Sequence, residues 1–230
     1  MEISAEKTKL MTNNTSCINT KILVNGRKLD TVTRFKYLGS VITDEGSKPV
    51  ILSRIAQTTA AYTRLKPVWK NRSISVSSKI RLMRSLDKSI FLQACESWTL
   101  TAELQRRIQV MEMRCYRKIL RISYKDHVTN EEVRAKIQQA IGPHEDLTMV
   151  KRRKLQWCGQ VPRSSGLAKT SLQGTVKGGR RQGRQRKRRK GNIREWTGLE
   201  FAKSQRAVEN RENGRKWSRN HLWCPNDPRR

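Results

Sequence analysis

The amino-acid sequence predicts a mostly α protein, with a small β-hairpin followed by a helical bundle and a basic, largely disordered C-terminal tail. Three observations carry that prediction. An Asn25-Gly26 pair, a strong short hairpin signal, lies between β-like runs near the start. Apolar residues then recur at helical spacing from about residue 48 to residue 160. Beyond that point the apolar pattern fades and positive charge takes over. Residues 1–150 carry 26 basic and 14 acidic side chains, a net of +12, whereas residues 151–230 carry 24 and 5, a net of +19 in about half the length. The expected segments are 1–47, 48–160 and 161–230.

The β part comes first. Lys21-Ile-Leu-Val-Asn-Gly-Arg-Lys-Leu surrounds the Asn25-Gly26 turn, and Phe35 to Ile42 reads as a further extended run closed by the turn residues Asp44-Glu45-Gly46. Helical period starts at Ile51, which with Ile55, Thr58, Tyr62 and Leu65 marks one face ahead of Pro67. A second face comprises Ile80, Met83, Leu86, Ile90 and Ala94, with Ser75, Ser77 and Ser78 as candidate caps. The third comprises Leu104, Ile108, Met111, Cys115 and Ile119, with Thr101 as its N-cap. Thr129-Asn-Glu-Glu132 is a capping-box signature that opens a fourth helix through Val133 and Ile137, stopping at Gly142-Pro143. A fifth is expected from Glu145 to Trp157, and an amphipathic helix from about Asn192 to Glu209.

Between Lys177 and Lys190 nine of fourteen residues are basic, none is acidic, and glycines stand at 178, 179 and 183. Such a run repels itself and cannot bury a core. It can lie along a phosphate backbone and release condensed counterions, so the expected partner is DNA or RNA held through phosphates. Lys177, Arg180, Arg181, Arg184, Arg186, Lys187, Arg188, Arg189 and Lys190 are the candidate contacts. The same composition serves as a nuclear import signal, which places the expected location in the nucleus, with nucleolar or RNA-bound cytoplasmic alternatives. Trp157, Trp196 and Trp217 fall in the basic half, where they either stack on bases or anchor small apolar clusters.

Other functions find little support in the sequence. No stretch approaches the roughly 20 apolar residues of a membrane span. The start of the chain lacks the pattern of a signal peptide, so the Asn-x-Ser/Thr matches at Asn13, Asn14 and Asn71 are expected to be chance matches in an intracellular protein. The five cysteines are scattered, with no Cys-x-x-Cys, and are expected as buried thiols rather than metal ligands. Nucleotidyl transfer needs carboxylates that clamp two metal ions. The six aspartates are dispersed, and the acidic pairs 44–45, 131–132 and 145–146 sit in a turn and at two helix starts, where they serve turn and dipole. The expectation is a binder with no catalytic centre, no cofactor, no metal and no small-molecule substrate.

Several strings occur in order: Ile3-Ser-Ala-Glu-Lys7-Thr8-Lys9-Leu-Met, Phe35-Lys-Tyr37-Leu38-Gly39, Ala94-Cys-Glu96-Ser-Trp98-Thr-Leu and Met113-Arg-Cys-Tyr-Arg-Lys118-Ile-Leu. Trp157-Cys158-Gly159-Gln160-Val161 and Lys177-Gly-Gly-Arg-Arg-Gln-Gly-Arg continue the set, which reaches about residue 212. Taken together, the ordered set resembles the C-terminal third of reverse transcriptases from RTE-like non-LTR retrotransposons. The resemblance implies that residues 1–47 hold a palm remnant, with Lys7 in polymerase motif D near the departing pyrophosphate, and a primer-grip-like hairpin at Phe35, Tyr37, Leu38 and Gly39. It implies that residues 48–160 are thumb-like and follow a template–primer duplex through its backbone, and that the tail holds target DNA or element RNA.

The departures are as informative. The chain starts downstream of where the family's paired aspartates belong, so the fingers, most of the palm and the endonuclease are missing. Gln160 stands where the family has the histidine of Trp-x-Gly-His, and residues from Asn213 to Arg230 lose the family character. The expected identity is a truncated reverse-transcriptase remnant that binds nucleic acid and does not polymerise. The alternatives are a domesticated nuclear DNA- or RNA-binding protein, and a trans-acting piece that works with a full-length element protein.

Overall fold

In the computed structural model the described residues are 8–11, 22–24, 26–37, 40–43, 46–142, 146–161, 189–200, 203–204 and 206. They are mostly helical, with small antiparallel hairpins at the N-terminal end. The chain divides into two units, residues 1–54 and 55–230.

In the first unit the Asn-Gly signal acts as read. β1 (Leu23–Val24) pairs antiparallel with β2 (Arg27–Lys28), and Gly26 takes the positive φ of +74° that the tight turn demands. A second hairpin follows, from β3 (Arg34–Tyr37) and β4 (Ser40–Thr43), in the register Phe35↔Ile42 and Tyr37↔Ser40. The residue pattern alone predicts a further extended run for this second stretch, whereas the resemblance implies a hairpin at residues 35–39. The run from Phe35 to Ile42 reverses on itself between residues 37 and 40. Leu10 bridges to Thr31 in parallel fashion, donating its N–H to the Asp30 carbonyl at 2.9 Å, and Lys9 meets the Asp30 carboxylate at 2.6 Å. Ile22, Leu23 and Ile42 remain exposed.

Helix α1 (Ser47–Arg64) spans the division between the units. It is followed by the short α2 (Lys66–Lys70), which carries proline in its first turn as the fixed φ of that residue favours. α3 (Val76–Leu86) is capped by Ser75, whose hydroxyl accepts from the Ser78 N–H at 3.1 Å. The expected continuation to Ala94 does not hold. A π-helical turn over Asp87–Phe91 widens the helix, and Ala94 then takes a left-handed conformation with φ 58°. Thr101 caps α4 (Ala102–Leu120), accepting from the Leu104 N–H at 3.3 Å. Thr129 does the same for α5 (Asn130–Ile141), which ends at Gly142 with φ +79°. α6 runs Asp146–Gln160 and α7 runs Arg189–Thr197.

The core of the second unit has two parts. One joins Tyr62, Trp69, Ile80, Met83, Cys115, Tyr116, Ile119, Val133 and Ile137, drawn from α1 to α5. Tyr62 and Trp69 stack at 4.5 Å, and the Trp69 indole N–H donates to the Tyr62 carbonyl at 2.7 Å. The other part surrounds Phe91 and Trp98, which meet edge-on at 5.4 Å. α6 packs against the 3₁₀ turn Cys95–Ser97 and against α4. Arg153 donates to the Leu92 carbonyl at 2.8 Å, and the buried Lys154 ammonium donates to the Trp98 carbonyl. α7 attaches to the strand-like segment before α4. Asn192 accepts from the Leu100 N–H at 2.9 Å and donates to the Leu100 carbonyl at 2.7 Å. The basic C-terminal segment thus contributes a packed helix. It spans Arg189–Thr197, with a start three residues before the expected one, and buries Asn192, Ile193 and Trp196 at a period of three to four.

Candidate nucleic-acid interface

Helix α4 displays two opposed faces. At 100° per residue, Leu104, Ile108, Met111, Cys115 and Ile119 fall on one side, and all five are buried. Arg106, Arg107, Arg114, Arg117, Lys118 and Arg121 fall within an arc of about 120° on the other side. The stripe covers about 22 Å of axis, the span of roughly six nucleotides of one strand. Arg106, Arg107, Arg114, Lys118 and Arg121 are exposed. Arg107 alone of these is neutralised locally, by Glu103 one turn earlier at 2.9 Å. Arg117 is half-buried and has a structural task, donating to the Val128 carbonyl at 2.8 Å and to Asn130 Oδ1 at 2.9 Å. It ties the end of α4 to the start of α5.

Two concave sites flank this stripe. On the α5 side Arg106, Arg114, Arg117 and Arg134 line a groove of about 490 Å³, floored in part by Val110 and Met113. On the α2 side lies a cavity of about 540 Å³. Lys66, Lys70 and Arg72 line one wall of it, and Lys118 and Arg121 the other. Tyr62 and Trp69 form the floor, almost fully buried, so their ring faces serve the core rather than a base. Lys118 lies 5.7 Å above the Tyr62 ring centre. The Arg121 guanidinium donates to the Lys70 carbonyl at 2.5 Å, which closes the end of the cavity. Behind it the buried Lys79 donates to the Asn71 carbonyl at 2.5 Å. Loss of solvent, and then repulsion from Arg121, hold the Lys79 ammonium below its usual pKa.

The residues expected from sequence are distributed differently. Lys7, Leu38, Gly39, Lys177, Arg180, Arg181, Arg184, Arg186, Lys187 and Arg188 lie outside the described residues. Phe35 is half-buried in β3 opposite Ile42, and Tyr37 pairs with Ser40. Arg189 and Lys190 open α7, and Lys190 is half-buried. Trp196 is buried, with Lys151 and Lys154 at 5.7 and 6.0 Å from its ring centre, so it anchors a cluster. The α4 stripe and its flanking sites were not among the expected contacts. Their signal was present, because basic residues at 106, 107, 114, 117, 118 and 121 follow the same helical period as the apolar set.

Two of the described aspartates have structural partners. Asp30 pairs with Lys9, whose ammonium holds the carboxyl below its usual range. Asp126 accepts from the Ser123 N–H at 2.6 Å in a reciprocal capping box. Among the described residues, no three His, Cys, Asp or Glu gather as a metal site, and no helix is long and apolar enough to cross a membrane. No family model, curated protein or solved structure matches this chain.

Proposed function

We propose that the chain is the thumb-like and basic part of a retrotransposon-type reverse transcriptase, which holds nucleic acid by its phosphate backbone, without base readout and without polymerising on its own. The observation that carries the binding is the basic face of α4, which aligns five exposed cations along about 22 Å while its opposite face is locked in the core. The fixed helix backbone sets the spacing of these side chains, so that they can follow a row of phosphates. The run 177–190 adds positive charge that is sequence-independent in its attraction. The ordered strings quoted above support the family assignment, and the thumb-like helices are where such a protein would follow a duplex.

The test is a fluorescence-anisotropy titration of the full chain against duplex DNA, an RNA–DNA hybrid and single-stranded RNA over a salt series. Affinity should fall linearly in log–log form, with little preference among base sequences. Each phosphate contact contributes about 0.9 to the slope on a duplex. Replacing Arg106, Arg107 and Arg114 by Gln should therefore flatten the slope by about 2 to 3. An unchanged slope removes α4 from the interface, and equal binding to heparin and duplex removes any fit to nucleic acid. Extension of a primer by the isolated chain would contradict the non-catalytic reading.

A further inference from the structure

The cavity on the α2 side of α4 differs from the open stripe in the density of its charge. Five cations line a single space of about 540 Å³, and none of its eight lining residues is acidic. Among the described residues, none of Lys66, Lys70, Arg72, Lys118 and Arg121 forms an ion pair. A strand passing along α4 offers one phosphate per about 3.4 Å of axis, so only one or two would reach into the cavity. Most of the positive charge would then stay unanswered. Several phosphates joined directly to one another would answer it.

A second observation points the same way. Arg121 ends α4 in the left-handed region, with φ 59° and ψ 32°, where Gly or Asn is ordinarily found. A residue with a side chain is disfavoured there by about 1 kcal/mol or more. The arginine nevertheless occupies that position and sets its guanidinium across the end of the cavity, against the Lys70 carbonyl. A locally disfavoured residue whose side chain completes a cationic wall fits a binding role better than a capping one.

We infer that the Lys66–Lys70–Arg72–Lys118–Arg121 cavity is a binding site for a chain of linked phosphates, the triphosphate at the 5′ end of an RNA being the source it fits best. The charges of such a group match the five cations, and the stacked Tyr62–Trp69 floor supplies a rigid base without a slot for a nucleobase. Lys118 and Arg121 belong both to this cavity and to the α4 stripe, so a free triphosphate, which needs no polynucleotide, is the probe that separates the site from backbone binding.

The test uses the full chain and three probes: inorganic tripolyphosphate, a short RNA with a 5′-triphosphate, and the same RNA with a 5′-hydroxyl. Calorimetry at moderate salt should give one tripolyphosphate bound per chain, with orthophosphate at least tenfold weaker. K66Q together with R72Q should weaken tripolyphosphate at least tenfold, whereas R106Q together with R114Q should leave it unchanged. Arg121→Gly should weaken it as well while leaving the melting temperature within a few degrees of the parent, since glycine relieves the backbone. A purely structural role, in which the guanidinium only ties α4 to the Lys70 carbonyl, would instead leave binding unchanged and shift stability alone, and would overturn the proposal. A fivefold or greater preference for the triphosphorylated RNA assigns the site to RNA ends. A gain for tripolyphosphate alone assigns it to free polyphosphates. Many weak equivalents per chain, indifferent to the cavity substitutions, would show diffuse condensation on the net positive charge and would overturn the site.

Discussion

Single residues in this molecule disclose where local preference has been overruled. Ala94 lies in the left-handed region at the point where the π-turn hands over to the 3₁₀ turn, yet its side chain reaches none of the cations that make Arg121 interesting. Its strain therefore has no binding role to offset it. Ala94→Gly should raise stability by about 1 kcal/mol, which for a chain of this length is a melting shift of about 2 to 4 °C. A lower melting temperature would mean that the Cβ makes packing contacts worth more than the strain. The cysteines give a second residue-scale test. Cys95, Cys115 and Cys158 are buried reduced thiols, as their spacing led one to expect. Burial pushes Cys95 up to about 12 and Cys158 up to about 11. Their folded values lie above the unfolded ones, so both contribute stability below about pH 9 and lose it as pH rises toward 11 and 12. Alkylation at pH 8 should accordingly be slow in the native chain and fast in urea. Equal rates in both would show that this part of the core opens readily.

At the scale of elements, the sequence was most legible where period and cap agree. Thr101 with the Leu104–Ile119 stripe, and Thr129 with Val133 and Ile137, foretold α4 and α5 with their first residues. The same logic failed on α3, because the apolar spacing continues past Leu86 while the backbone widens into a π-turn around the buried Asp87. Spacing reports which residues face inward and is blind to one inserted residue in the hydrogen-bond ladder. It also missed the basic face of α4, since cations spaced three and four apart stand out less than the dense run at 177–190. α7 was legible as an amphipathic helix near Asn192, but its attachment to the rest of the unit was not. Its anchor, Asn192, meets Leu100 across ninety-two residues of sequence, a pairing that no local pattern announces. That anchor is itself testable. Asn192→Ala leaves a buried N–H and carbonyl of Leu100 without their partner, and should cost about 2 to 3 kcal/mol by denaturant unfolding. A loss below about 0.5 kcal/mol would mean that α7 is a dispensable cover.

Over the whole molecule one quantity acts on stability and on binding with opposite signs. The chain carries a net charge of +31. In the folded unit, cations crowd on α4, on α2 and at Lys79, where loss of solvent and then repulsion from Arg121 disfavour the ammonium. Compaction brings like charges together, so self-repulsion works against folding, and salt screens it over a Debye length of about 10 Å at 0.1 M. Affinity for nucleic acid depends on the same charges and on counterion release, which salt suppresses. Raising sodium chloride from about 50 to about 300 mM should therefore raise the melting temperature of the unliganded chain while lowering its affinity for duplex. Adding duplex at low salt should raise the melting temperature too, because phosphates then answer the charges that the folded helices align, and the folded form binds them more tightly than the unfolded chain does. The three measurements together separate a folded grip from a charged coil. A coil would bind in the same salt-sensitive way, but it would have no cooperative melt for salt or duplex to shift. A melt that moves upward with both identifies the folded helices, rather than the basic tail alone, as the body that holds the phosphates.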